Sequence, residues 1–364
     1  MMEPAADAAE FALEGFCMEE KNMAAYLTAV GTIELSPAPL EAPGPGEIQL
    51  KVEYVGICGS DVHFYASGQR KGKFFDLPFI LGHECAGTVA ALGPGVEGLQ
   101  VGDRVCFEPQ ITCGTCRYCR SGHYNMCPNV VFPSVPPYHG MLRRYANIPA
   151  RCAFRLPDSV STRDGALMEP LAVGLSAASR GDVALGDRVV ILGSGCIGLV
   201  TLLACRARGA SRILVADLCD NRLEMAKKLG ADVVVRSDRE NLLERVYAMT
   251  YGEGADVVLE TAGSPVTAAA TADLVRRCGV VVLVGNINGE TPYRFMDLMY
   301  REGEIRTIYR YKNNFPTALE AVATGAIDPS PLVTHTFDFA DTNEAFRLCN
   351  EEKEKVVKAV VRIP

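Results

Sequence analysis

The sequence has no run of the roughly 18 consecutive apolar residues that a membrane-spanning helix requires. Positive charge is also in deficit. Its 36 Lys and Arg against 44 Asp and Glu leave a net charge of −8, the wrong sign for a chain held on nucleic acid by phosphate neutralisation. Basic residues are missing from the start, where Glu3, Asp7, Glu10, Glu14, Glu19 and Glu20 all precede Lys21, the reverse of a secretory or organelle-targeting segment. Internal repeats and low-complexity tracts are absent too. With 48% hydrophobic and 22% charged residues, the composition is that of a folded globular chain rather than a disordered one. These absences together predict a soluble, cytoplasmic protein without nucleic-acid or membrane partners.

What is present divides the 364 residues in two, as about 150 residues per domain would suggest. Residues 1–22, acidic and Ala-rich, read as a tail belonging to neither domain. From Met23 to about residue 155, short β-type runs (IQLKVEYVGI, CAGTVAAL, DRVCF, RRYANIP) are broken by Pro and Gly clusters, the pattern of a β-rich domain with long loops. From about residue 173 apolar strands (RVVILG, RILVAD, VVV, DVVLETAG, VVVLVGN) alternate with amphipathic helices. That alternation predicts right-handed βαβ units and a parallel sheet covered on both faces. After about residue 312 the chain ends in a strand-like VVKAVVRI, expected to return to the first domain. The fold class is α/β, a β-rich domain plus a doubly wound parallel-sheet domain.

Gly193, Gly195 and Gly198 form GSGCIG directly after a strand and at the opening of a helix. In that context one glycine makes the turn, one lets a pyrophosphate approach the backbone and one lets helix pack on strand. The second strand ends at Asp217, 19 residues past Gly198, where a carboxylate can accept the adenosine ribose hydroxyls and repel a 2′-phosphate. NAD is therefore expected in preference to NADP.

Among 14 cysteines, Cys113, Cys116, Cys119 and Cys127 stand two, two and seven residues apart in a polar loop. Four thiolates complete the tetrahedral set of a closed, structural zinc site. An iron–sulfur cluster is disfavoured by the last gap, which is three residues in bacterial ferredoxins, and a nucleic-acid-gripping ribbon by the charge. Cysteines 17, 85, 106, 152, 196, 205, 219, 278 and 349 have no ligand spacing and read mainly as buried hydrophobes. Cys58 in GICGSDVH, His83 and Glu84 in LGHE, and Glu169 in ALMEPLAVG supply the residue types of an open, catalytic zinc. No spacing rule joins residues so far apart, and a core histidine is the open alternative.

The motifs GICGSDVHFY, LGHECAG, the four-cysteine lobe, ALMEPLAVG, VILGSGCIG and YRYKNNFP span nearly the whole chain from Met23. In that order the sequence resembles the zinc-containing medium-chain dehydrogenases, and within them the polyol branch of sorbitol (L-iditol) and xylitol dehydrogenases. The resemblance implies a GroES-like catalytic domain over 23–172 completed by 313–364, and a Rossmann domain over 173–312. It further implies NAD-dependent oxidation of an alcohol to a ketone by a homotetramer, with one catalytic and one structural zinc per chain.

Carried over by motif, Cys58, His83 and Glu84 are implied catalytic zinc ligands, with Glu169 approaching the metal through water and touching substrate. Ser60 and His63 fall on the family's proton relay, and Phe64, Arg310 and Tyr311 on the substrate pocket. Ile197, Arg222, Val284, Gly285, Asn286, Tyr309 and Arg310 fall on cofactor-side positions beside Gly193, Gly195, Gly198 and Asp217. Phe64 replaces the tyrosine usual beside the relay histidine, and VPPYHG brings an unexpected His139 near the expected substrate mouth. The enzyme alternative is a 2,3-butanediol (vicinal-diol) dehydrogenase. The non-enzyme alternative is a nucleotide-binding structural or regulatory protein of the same fold.

Overall fold

The computed structural model describes residues 22–364, so the expectation for the acidic N-terminal tail lies outside the described residues except at Asn22, which is buried and hydrogen-bonded to Pro39 and Tyr145 and so belongs to the first domain. The first domain is organised by the strand Glu47–Gly56, in which Ile48, Leu50 and Val52 alternate into the core, each fully buried, as a period of two requires. One edge of this strand pairs antiparallel with Glu84–Leu92, which passes the sheet on to Arg104–Phe107 and Ala153–Arg155. Its other edge is shared: Tyr145–Pro149 pairs with residues 47–51, and Lys358–Arg362 pairs with residues 54–56. Val333–Asp338 then adds in parallel to Lys358–Arg362. A smaller antiparallel sheet runs Thr32–Pro37, Met23–Ala29, Phe79–Ile80.

The second domain is a six-stranded parallel sheet. Its strands are β1 (Arg188–Leu192), β2 (Arg212–Asp217), β3 (Val233–Arg236), β4 (Ala255–Glu260), β5 (Val275–Leu283) and β6 (Glu304–Thr307), in spatial order 3-2-1-4-5-6. The order reverses between β1 and β4, which opens a crevice at their carboxyl ends. The helices Cys196–Ala207, Asp220–Lys228, Leu242–Met249 and Pro265–Leu274 fall where the apolar periodicity places them. The last is shorter than VTAAATADLVRRCG suggests, because the chain enters β5 at Val275. The edge strand β6 is too polar for the apolar-run reading to find.

Two borders differ from expectation. The one at 172/173 falls inside the helix Met168–Arg180, which packs so closely on Cys196–Ala207 that a Cβ at Gly174 would stand 2.7 Å from the Val200 carbonyl oxygen. The helix Phe315–Ala323 also packs on Met168–Arg180, and Phe315, Ala318, Leu319 and Leu332 are buried with the parallel-sheet core. The return to the first sheet thus begins at Val333, not at residue 313. Among the described residues, no helix is long and apolar enough to cross a membrane.

Candidate active site

Cys58 caps the N-terminus of the helix Gly59–Ser67 just beyond the strand Glu47–Gly56, while His83 and Glu84 open the neighbouring strand. The ladder register sets Gly56 opposite Glu84. A Cβ on Gly56 would stand 2.3 Å from Glu84 Oε2, so only glycine leaves the carboxylate its place. The donor atoms of Cys58, His83 and Glu84 all lie within 4.8 Å of one another. Three donors of mixed type leave a tetrahedral position open, which is the donor chemistry of a catalytic zinc.

Each donor is held from behind. Asp61, fully buried, brings Oδ2 within 3.3 Å of His83 Nδ1 and accepts a hydrogen bond from Ser134. A carboxylate against one ring nitrogen leaves the other for a metal. Burial draws the His83 imidazole down, but the charges of Asp61 and Cys58 outweigh it and push it well above its usual 6.5, so the pocket favours a cation. Behind Glu84 stands Lys358, 3% exposed, with Nζ 2.7 and 2.9 Å from the two carboxylate oxygens and 3.0 Å from the Ile57 carbonyl. Burial pulls this ammonium down, yet Cys196, Glu84 and Cys58 more than compensate and hold it protonated.

Glu169, on the helix Met168–Arg180, is buried beside these residues. Desolvation pushes its carboxyl up to about 7, against the pull of His83. Tyr311 next to it is fully buried, and its hydroxyl has no well-aligned hydrogen-bond partner. Burial and then the Glu169 charge raise that hydroxyl far above 10. Phe64 is buried edge-on to Phe75. Ser60 donates to Cys58 Sγ at 3.3 Å. The His63 ring packs near Phe64, 6.2 Å between centroids, and no hydrogen bond joins it to Ser60 among the described residues. Arg310 lies over the rings of Tyr309 and Phe132.

At the crevice, Gly193 adopts φ +100°, and a Cβ on Gly198 would stand 1.9 Å from the Gly193 carbonyl oxygen. Gly195 caps the helix Cys196–Ala207, and an added Cβ there would meet nothing closer than Arg222 Nη1 at 4.0 Å. Turn, close packing and open approach are thus divided among the three glycines, and the helix N-terminus faces the opening. Ile197, in the first helical turn, is half-buried against the core. Asp217 Oδ2 accepts from the Ser194 amide at 2.6 Å, which fixes the carboxylate against the glycine turn. Val284 and Gly285 follow β5, their amides bonded to the Glu260 carbonyl at the end of β4, with Asn286 exposed beyond them. Arg222 reaches the same turn but donates to the carbonyls of Lys353 and Val356, a tie between the domains that the sequence did not suggest.

The second cluster is local. Neighbouring sulfurs of Cys113, Cys116, Cys119 and Cys127 stand 3.5, 3.6 and 4.0 Å apart, against about 3.8 Å for thiolates arranged tetrahedrally at zinc–sulfur bond length. Backbone amides of Cys116 and Thr115 hold the Cys113 thiol down at about 5, whereas burial and then Cys116 push Cys119 up to about 11. Sulfurs this close ionise together only when a cation joins them.

Several participants escaped the sequence reading: Asp61, Ser134 and Lys358 behind the open cluster, and Glu108, Gln110, Tyr124 and Asn125 beside Tyr311. The one signal was a lone lysine in the apolar VVKAVVRI. Cys85 is buried in the core with its thiol raised to about 12 by burial. His139 packs on Phe79 and accepts from the Ile80 amide at 3.2 Å, and among the described residues no hydrogen bond or ring contact joins it to an expected site residue.

Comparison with known proteins accords with this geometry. Residues 44–158 match the alcohol dehydrogenase GroES-like domain and residues 196–324 the zinc-binding dehydrogenase domain. A sorbitol dehydrogenase of Arabidopsis thaliana is 39% identical over 92% of this chain and 93% of its own. A solved Escherichia coli oxidoreductase of unknown specificity superposes with a TM-score of 0.91 at 43% identity, covering 94% of this chain and 99% of its own. The solved 2R,3R-butanediol dehydrogenase of Bacillus subtilis superposes at 0.85 with 29% identity, covering 94% and 99%. The chain therefore belongs to the zinc-type medium-chain alcohol dehydrogenases, in the branch that includes the sorbitol dehydrogenases.

Proposed function

We propose that this dehydrogenase oxidises a secondary hydroxyl of a polyol, C2 of a sorbitol- or xylitol-type chain, to the ketone with NAD as hydride acceptor. The observation that carries the reading is the three-donor cluster of Cys58, His83 and Glu84, bordered by the buried Glu169 carboxyl and the buried Tyr311 hydroxyl beside it. Zinc held by Cys58, His83 and Glu84 would supply the Lewis acidity that lowers a hydroxyl's pKa, and a nicotinamide cofactor held at the glycine turn would supply the hydride acceptor.

The chain's residues do the rest. Asp61 keeps the His83 ring turned towards the donors, and Lys358 fixes the Glu84 carboxylate. Glu169, poised near 7, accepts a hydrogen bond from a substrate hydroxyl or an ordered water and holds it in place. Ser60 and His63, both on the helix that Cys58 caps, offer the proton a route outward. The Tyr311 hydroxyl and the Arg310 guanidinium meet further hydroxyls. A site with polar groups awaiting partners rejects an alcohol that lacks them. Asp217 supports NAD over NADP, since a ribose 2′-phosphate would meet a carboxylate already fixed at the turn.

Zinc analysis together with rates on sorbitol, xylitol, 2,3-butanediol and ethanol, each with NAD and NADP, tests the reading. Two zinc ions per chain, NAD preference and polyol oxidation well above ethanol are expected. Butanediol oxidised far faster than every polyol would favour the vicinal-diol assignment, for which the Bacillus relative speaks. NAD binding with no alcohol oxidised would overturn both.

A further inference from the structure

Tyr309–Asn313 joins β6 to the helix Phe315–Ala323 and carries the residues assigned to cofactor and substrate. Two of its members hold left-handed backbone, Arg310 at φ +57° and Asn313 at φ +56°. Side-chain-bearing residues stay there only when their surroundings over-determine them. Tyr311 packs on Phe315 and Arg310 lies over Phe132, but the hydrogen bonds that follow all come from one segment.

Asn125 Nδ2 donates to the Tyr309 carbonyl at 2.9 Å, and Arg310 Nη1 donates to the Asn125 carbonyl at 3.3 Å. The Asn313 amide donates to Tyr124 Oη at 2.6 Å, and that hydroxyl donates onward to Glu108 Oε1 at 2.8 Å. Gln110 Nε2 donates to the same Glu108 oxygen at 3.3 Å and to the Tyr311 carbonyl at 2.9 Å. Glu108 and Gln110 are both buried. The loop is thus bonded at residues 309, 310, 311 and 313 by a segment that leads into, and forms part of, the four-cysteine lobe. Tyr124 and Asn125 occupy the short turn Tyr124–Met126, immediately before the ligand Cys127. No residue of this network is itself a candidate metal ligand.

We propose that the four-cysteine lobe positions the substrate loop, with Tyr124 and Asn125 as positioning residues that set Arg310 and Tyr311 and thereby select polyhydroxy substrates. The cysteine cluster fixes the turn, the turn fixes the loop backbone, and the backbone aims the two side chains. The selectivity half of this proposal rests on the reading of Arg310 and Tyr311 as hydroxyl-binding groups; the coupling of lobe to loop does not.

Tyr124→Phe keeps the ring and removes both hydrogen bonds of its hydroxyl, whereas Asn125→Ala removes the anchor on Tyr309. Each zinc-loaded variant is compared with wild type by amide hydrogen exchange over residues 308–314, and by KM and kcat for sorbitol and 2,3-butanediol with NAD. Each variant takes one hydrogen bond from the loop, which should speed exchange there by several-fold, up to about tenfold, with the strand Glu47–Gly56 unchanged. The sorbitol KM should rise by about tenfold while the butanediol KM moves less than about twofold, because only the longer substrate uses the positioned groups. Loop exchange equal to wild type in both variants overturns the proposal. Equal losses for sorbitol and butanediol overturn its selectivity half. Should wild type oxidise no polyol, the functional reading fails, while the exchange result still decides whether the lobe holds the loop.

Discussion

The two cysteine-bearing clusters are made in opposite ways. Cys113, Cys116, Cys119 and Cys127 come from one short stretch of loop, three of them half-exposed, and all four candidate donors are sulfur. Cys58, His83 and Glu84 come from a helix start and the opening of a neighbouring strand, and they are backed by Asp61 and by a lysine 274 residues from Glu84. In the first cluster a bound ion would organise the chain; in the second the folded chain already organises the donors. A local chelate without its ion is a set of crowded thiols, but the assembled site without its ion still has its partners.

The sharpest way to break this comparison is His83→Ala. With one of three donors gone, turnover should fall by about a thousandfold or more, the several kcal/mol that metal polarisation supplies. Bound zinc should drop by one ion per chain with circular dichroism unchanged. A variant that keeps both ions would show that the cluster is no metal site.

Cys113→Ser should act in the reverse sense, lowering stability by several kcal/mol because binding energy at a structural site is folding energy. The protein that remains folded at low temperature should keep its kcat. Thermal melts and initial rates on the same samples check both, and a lost kcat with an unchanged melting temperature would exchange the roles of the two clusters.

Lys358→Met leaves Glu84 buried without its cation, which costs about 3–5 kcal/mol when one partner of a buried pair is removed. Zinc should recover part of that loss, so the gap between zinc-loaded and chelator-treated melting temperatures should widen relative to wild type. A gap that stays constant would mean that Lys358 and the metal do not share Glu84. The smallest effect is expected from Asp61→Asn, about 10- to 100-fold in zinc affinity at the open cluster and none at the lobe, measured by competition with a chromophoric chelator.

The same contrast explains what the sequence could tell. Contiguous ligands are legible, and the four-cysteine spacing announces its chemistry unaided. Cys58, His83 and Glu84 needed family resemblance, because the register that brings Glu84 beside Gly56 is written in no local pattern. Asp61 was hidden in a helix turn whose spacing from Cys58 carries no ligand signal. Lys358 was hidden because an isolated lysine in a strand reads as facing water, yet this strand lies inside the sheet between two others. The β1 to β5 strands were visible as apolar runs since both faces of a parallel sheet are covered, whereas polar β6 was not. The borders at 172/173 and 312/313 misled because Met168–Arg180 and Phe315–Ala323 pack on the parallel-sheet side while lying next to catalytic-domain sequence.

The return strand Lys358–Arg362 sets the order in which the protein can be made. All six strands of the parallel sheet leave the ribosome before Phe315, and residues 315–332 complete its core before the return strand, so that domain can close during synthesis, as domains generally fold in units. The antiparallel sheet must wait. Residues 54–56 keep an unpaired edge until Lys358–Arg362 arrives, 301 residues after Ile57 has been added, and an open edge of that kind invites pairing with other chains. The lysine that completes the Glu84 pair arrives on that strand, so a nascent chain that has already folded its nucleotide crevice still lacks a finished metal pocket.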